Sequence, residues 1–125
     1  MLSFDQAGDL LDRLAEEFPQ ALFEGLNGGV NLLEDTVPDP EFPEGELYIL
    51  GEYCDDLLGR YVNLYYGSFA ALAQDERWSD EDWEEELYDT LAHEFTHHIE
   101  NLAGERGLER KDEEFMADFW ERHGE

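Results

Sequence analysis

Lysine occurs once in this 125-residue chain, at Lys111, and six arginines supply the remaining basic side chains. Against these seven cations stand 34 Asp and Glu, a formal net charge of −27 at pH 7. Such a chain repels phosphate, which excludes nucleic-acid binding through a basic surface. Attachment to an anionic membrane is disfavoured for the same reason. Cysteine is equally scarce: Cys54 stands alone, so no intrachain disulfide can form. No apolar run approaches the ~18 residues of a membrane span. Met1 to Asp12 lack the basic cluster and apolar stretch of a signal peptide. These absences predict a soluble, acidic, cytoplasmic protein.

Aromatic residues are not scarce. Eight Phe, six Tyr and three Trp suffice for a packed core, and the length suits one domain over 1–125. Ser3 followed by Gln6 reads as a capping box. Phe4, Ala7, Leu10, Leu11, Leu14, Ala15 and Phe18 then recur at helical spacing up to Pro19. A short second helix can run from Pro19 to Leu26. Val30–Asp35, Glu46–Cys54 (with Gly51 as a bulge) and Arg60–Tyr66 read as strands. Residues 36–45, with three of the four prolines, form a loop within the domain, and Asp55, Asp56 and Gly59 a turn. At most one helical turn is expected between Gly67 and Arg77. Ser79, followed by three acids, caps a long helix running to about Leu102 and stopped by Gly104. A last helix is expected from Lys111 to Arg122. The fold class is α+β, a sheet of three to four strands packed with an N-terminal helix and the long helix.

The long helix contains His93-Glu94-Phe95-Thr96-His97, or H-E-x-x-H. Histidines four apart project one turn apart on one side, so both imidazoles can reach one Zn²⁺ at ~2.0–2.1 Å. Glu94 can then take a proton from a metal-bound water as general base. At 100° per residue, Leu87, Tyr88, Leu91, Ala92, Phe95, Ile99 and Leu102 share one side of the helix. His93 and His97 fall opposite, away from the core. His98 falls near the apolar stripe and reads as a structural residue. A catalytic zinc needs a third protein ligand. The candidates are Asp112, Glu113, Glu114 and Asp118, on a helix returning beside the first. Glu114 has the longer reach and the better height, and is the choice; Asp118 can orient a ligand.

HEFTHH after a long acidic helix, in so short a chain, resembles the bacterial minimal zincin-like metallopeptidase family. Members show H-E-x-x-H-H-F-G-x-x-D. His93, Glu94, His97 and His98 match, whereas Ile99, Glu100 and Ala103 depart from the pattern. The E-x-x-A-D string at Glu114–Asp118 looks instead like the gluzincin arrangement; Asp112 is the alternative if the family's aspartate has moved. The resemblance implies a minimal zincin-like fold, Zn²⁺ as cofactor, and peptide hydrolysis in which zinc and Glu94 activate water against a peptide or protein substrate. It also implies a substrate extended along an edge strand, for which Arg60–Tyr66 is the candidate.

Two functions compete: a zinc-dependent metallopeptidase, and a catalytically silent acidic binding or regulatory module. Glu94 favours the first and small size the second. Neither alters one consequence of the charge. Like charges at −27 repel within the folded state, and ions screen them over a Debye length of ~8 Å at physiological strength. The thermal midpoint is therefore expected to rise from low to moderate salt. A flat or falling midpoint would show the charges already paired or too far apart to matter.

Overall fold

The computed structural model describes residues 1–41 and 47–106. Helix α1 spans Phe4–Ala15, and its capping box is present in both directions: Gln6 N–H donates to Ser3 Oγ (3.1 Å) and Ser3 N–H to Gln6 Oε1 (2.9 Å). The helix ends one turn before the expected Phe18. Proline disfavours helical backbone in the residue before it, so the chain leaves α geometry ahead of Pro19 through tight turns at Glu17 and Phe18. Phe18 is still buried. Only a 3-10 turn, Gln20–Phe23, follows.

Strands β1 (Val30–Leu33), β2 (Gly51–Asp56) and β3 (Gly59–Tyr65) form a mixed sheet in the order β1-β3-β2. β1 runs parallel to β3, and β2 antiparallel. The strand expected to offer a free edge, Arg60–Tyr66, is therefore the central one; β2 lies at an edge. Val62 and Leu64 of β3 are fully buried, which fits β-branched and aliphatic residues at the middle of a sheet. The expected strand Glu46–Cys54 begins later, at Gly51, and continues through Asp55 and Asp56, where composition points to a turn. Leu57 and Leu58 make the turn instead. Leu47 and Ile49 bond back to Asp39 and Val37 across the proline loop.

Gly51 is not a bulge. It pairs in register with Leu64. A side chain there would meet the Asn63 carbonyl oxygen and Thr90 Cγ2, each at 3.1 Å, so glycine lets the long helix approach the sheet.

β3 runs directly into α2 (Tyr66–Glu76), eleven residues where the sequence suggests a single turn. Its propensity signal is masked by Gly67, Ser68 and Phe69, yet Phe69 and Ala73 are buried and hold it in place. Helix α3 spans Asp80–Arg106. Ser79 caps it as expected, with Asp82 N–H donating to Ser79 Oγ (3.2 Å) and Ser79 N–H to Asp82 Oδ2 (2.9 Å). Gly104 does not stop it: the residue is exposed with nothing nearby, so an interior glycine only weakens the helix locally. Trp83, Leu87, Leu91 and Phe95 are fully buried against α1 and the sheet. The Phe95 ring meets Phe18 and Phe23 at centroid distances of 5.1 and 4.9 Å. Among the described residues no helix is long and apolar enough to cross a membrane. The expected helix from Lys111 to Arg122 lies outside the described residues. The architecture is a small α+β arrangement of three helices and a three-stranded mixed sheet among the described residues.

Gly51→Ala should cost about 1–3 kcal/mol of stability, the range for overpacking a filled contact. Thr90→Ser removes one of the two obstructing atoms, so the substitution should cost less in that background. Urea unfolding of the four proteins of this cycle checks it; equal costs in both backgrounds would mean that α3 does not press on Gly51.

Candidate functional site

Where α3 passes β2 the two leave an open groove of about 750 Å³. Gly51, Glu52, Tyr53 and Asp55 line it from the strand, and His93, Glu94, His97, Glu100 and Asn101 from the helix. The helical set follows from burial on the other side. With Leu87, Leu91, Phe95 and Ile99 in the core, residues 93, 97 and 100 must face away from it, and Asn101 falls at its half-buried margin.

The structure brings His93, Glu94 and His97 together as expected, with both histidines exposed. Their Nε2 atoms lie 3.1 Å apart, a hydrogen bond in which one imidazole donates and the other accepts. His97 Nδ1 is 3.5 Å from Glu100 Oε1. Among the described residues, however, no group of three His, Cys, Asp or Glu side chains is placed to hold a metal ion. Two imidazoles fall short of the three protein ligands of a catalytic zinc. The expected Zn²⁺ centre is thus not assembled there. The readings built on it, metal-activated water, Glu94 as its general base and a zinc-dependent metallopeptidase, are corrected with it. The H-E-x-x-H spacing supplies two donors locally, whereas a third must come from tertiary structure. Glu114, the chosen third ligand, lies outside the described residues, as do Asp112, Glu113 and Asp118.

Glu94 is the buried member of the groove, at 5% exposure. Burial pushes its carboxyl above the ordinary carboxylate range; charge on His97 opposes this, Glu52 adds to it, and the Tyr53 backbone N–H, donating to the carboxylate, draws it partly back. That amide is free to do so. Tyr65 N–H bonds the Leu50 carbonyl, and from there alternate β2 residues pair with β3, leaving Tyr53 N–H on the outer edge. Beside it the Tyr65 hydroxyl donates to Glu52. Burial and that carboxylate push Tyr65 up to about 12.

His98 is structural, as expected. It is 1% exposed, with Nε2 2.7 Å from the Glu24 carbonyl and Nδ1 2.8 Å from Tyr53 Oη. The carbonyl can only accept, so Nε2 carries the proton and Nδ1 accepts from the tyrosine. Tyr53 Oη in turn accepts from Asn101 Nδ2 (2.9 Å), which also donates to Asp55 Oδ2 (2.8 Å). Arg60 Nε stands 3.5 Å from the same carboxylate oxygen. Sequence reasoning misses Glu52, Tyr53, Asp55, Glu100 and Asn101. Extending the 93–97 stripe by one turn would reach Asn101; nothing local marks Glu52 or Asp55 among so many acids.

The raised Glu94 carboxyl carries a stability consequence. A folded-state pKa above the unfolded value gives stability that is present below the unfolded pKa and lost as pH rises through the folded one. At neutral pH ionised Glu94 is therefore a net cost. Glu94→Gln should be more stable than the parent at pH 7 by roughly 0.5–2 kcal/mol, and the gap should close toward about pH 3, below the ordinary glutamate value of ~4.3, where both side chains are neutral in the folded and unfolded chain alike. Urea unfolding at the two pH values checks this. A less stable variant at pH 7 would show that neighbouring donors outweigh desolvation.

No family model matches the chain, and no curated protein does. Among solved structures it is similar to a conserved hypothetical protein from Thermo thermophilus, with a TM-score of 0.71 and 34% sequence identity over 82% of this chain and 99% of that one. The name of that protein assigns no activity, and no peptidase model supports the resemblance to zincin-like metallopeptidases, which is corrected accordingly. The chain belongs to the family of this conserved hypothetical protein.

Proposed function

We propose that this protein is a binding module that receives a cationic segment of a protein partner in the groove between β2 and α3. One observation carries the reading. The Glu94 carboxylate is nearly buried in a groove that also holds Glu52, Asp55 and Glu100, and no lysine or arginine is among the described residues lining it. A carboxylate held away from water, as Glu94 is, is costly alone and favours any cation that comes to share the site, and the exposed Glu52 and Glu100 beside it add to the attraction. The paired imidazoles of His93 and His97 add polar groups that can both donate and accept. The groove is open along its length, which suits a chain segment better than an enclosed small molecule. Nucleic acid is repelled by the same carboxylates.

Titration calorimetry with a short lysine-rich peptide and a glutamate-rich control tests the proposal. The lysine-rich peptide should bind, more weakly as salt rises. Glu94→Gln and Glu100→Gln should each lower affinity about tenfold, ~1.4 kcal/mol. Glu84 sits in a separate acidic hollow beside Leu14 and Tyr88, so Glu84→Gln should change little. If it weakens binding as much as the groove substitutions do, the attraction belongs to the net charge and the reading fails.

A further inference from the structure

Beyond the groove, β2 ends in a turn whose two residues are leucines. Leu57 is wholly exposed and Leu58 82% exposed, on a chain whose other exposed large hydrophobics are Leu47 and Met1 among the described residues. Nothing in the turn requires them. Its shape is held by Asp56 Oδ1, which accepts from Leu58 N–H at 2.8 Å, and by Gly59 at φ +117°, a conformation that L side chains rarely adopt. Polar residues would serve such a turn at least as well. Two adjacent leucines in water leave apolar surface without a contact, at the end of the strand that lines the groove.

We infer that the Leu57-Leu58 tip is a second contact point for the partner segment that enters the groove, so that recognition requires a cationic residue and an aliphatic or aromatic residue at a fixed separation. The inference rests on the reading of the groove. Continuity supports it: β2, which lines the groove through Glu52 and Asp55, runs straight into the tip, although the two carboxylates project to opposite faces of the strand. From Glu52 to Leu57 is five residues at ~3.3 Å each, roughly 16 Å, within reach of a short extended segment. Charge chooses the occupant. Asp55 and Asp56 precede the leucines; Arg60 stands 3.5 Å from Asp55, while Asp56 is exposed beside the tip, so an apolar group that meets the leucines is favoured when it carries a cation next to it. A second copy brings −27 of its own, and its apolar hollow at Phe18 and Phe23 is rimmed by Glu16 and Glu24, which repel Asp55 and Asp56. An anionic bilayer is repelled likewise.

Three synthetic peptides test this: one with a lysine pair and a leucine pair five residues apart, one with those leucines replaced by serine, and one with the two pairs adjacent. The first should bind about tenfold tighter than the other two. Leu57→Ser/Leu58→Ser should abolish that advantage and leave the serine peptide's affinity unchanged; an unaltered thermal midpoint confirms that the variant is folded. If all three peptides bind alike and the variant changes nothing, the tip plays no part, while the groove reading stands. If the serine peptide binds no better than a glutamate-rich one, the groove reading itself fails. Binding to phosphatidylcholine vesicles that disappears in the variant would overturn the proposal in favour of a membrane. A dimer in sedimentation that disappears in the variant would overturn it in favour of a second copy.

Discussion

Burial of the Trp83–Leu87–Leu91–Phe95–Ile99 stripe sets the rotation of α3, and everything at the groove depends on that rotation. A helix turned by one residue would move each side chain through about 100°, putting His93 toward the core and Phe95 toward water. Such a turn would expose an aromatic ring that now packs against Phe18 and Phe23. Full burial of one aromatic side chain is worth roughly 1.5–3 kcal/mol, and the stripe holds five large apolar residues. The polar face has no comparable say in the matter. His93, His97, Glu100 and Asn101 stand where they do because apolar neighbours on the far side leave them nowhere else to go.

Charge works against this arrangement. Asp80, Glu81 and Asp82 open α3, where the helix dipole favours anions, but the benefit fades within a turn. Further along, Glu86 is pushed above the ordinary carboxylate range by burial and then by Asp89, Glu76, Glu85 and Asp82. The apolar stripe must hold the helix despite repulsion that a neutral sequence would lack. A surface so acidic draws cations of every kind toward the molecule. On the proposed binding role, discrimination among them falls to features that generalised charge lacks: the depth of Glu94, the spacing of the imidazoles, and the apolar turn.

Local signals in the sequence are legible where a local cause decides the outcome. Ser3 and Gln6, Ser79 and its acids, and the phase that sends His98 inward and His93 and His97 outward all depend on residues within a turn or two. The failures share a different cause. Arg60–Tyr66 reads rightly as a strand but wrongly as an edge, since order in a sheet is decided by partners far away in sequence. Gly51 resembles a bulge in sequence because its real constraint, Thr90, is 39 residues distant. Asp55 and Asp56 suit a turn by composition, yet pairing with Arg60 and Gly59 keeps both in the strand. Among the described residues the metal centre fails at the same boundary. Spacing on one helix yields two imidazoles, and a centre needs a third donor that no periodicity can supply. Helix α2 is hidden for the converse reason, its weak propensity being overridden by burial of Phe69 and Ala73.

The groove owes its form to bonds that join its two walls before any partner arrives. Glu94 accepts from the backbone of Tyr53, and Asn101 reaches both Tyr53 and Asp55. His98 ties the same tyrosine to the chain at Glu24. Strand, helix and the segment after the 3-10 turn are thereby fixed to one another through a single side chain. A wall held in this way loses little conformational freedom on binding, which is the main cost that separates contact area from affinity. The desolvation of Glu94 is also incurred during folding, before a partner binds. A cation arriving in the groove meets a carboxylate whose water has already been removed, so its charge is felt more strongly than at the open surface. On the proposed binding role, stability lost in the free protein becomes selectivity in the complex, and Tyr53 is the residue through which the two are coupled.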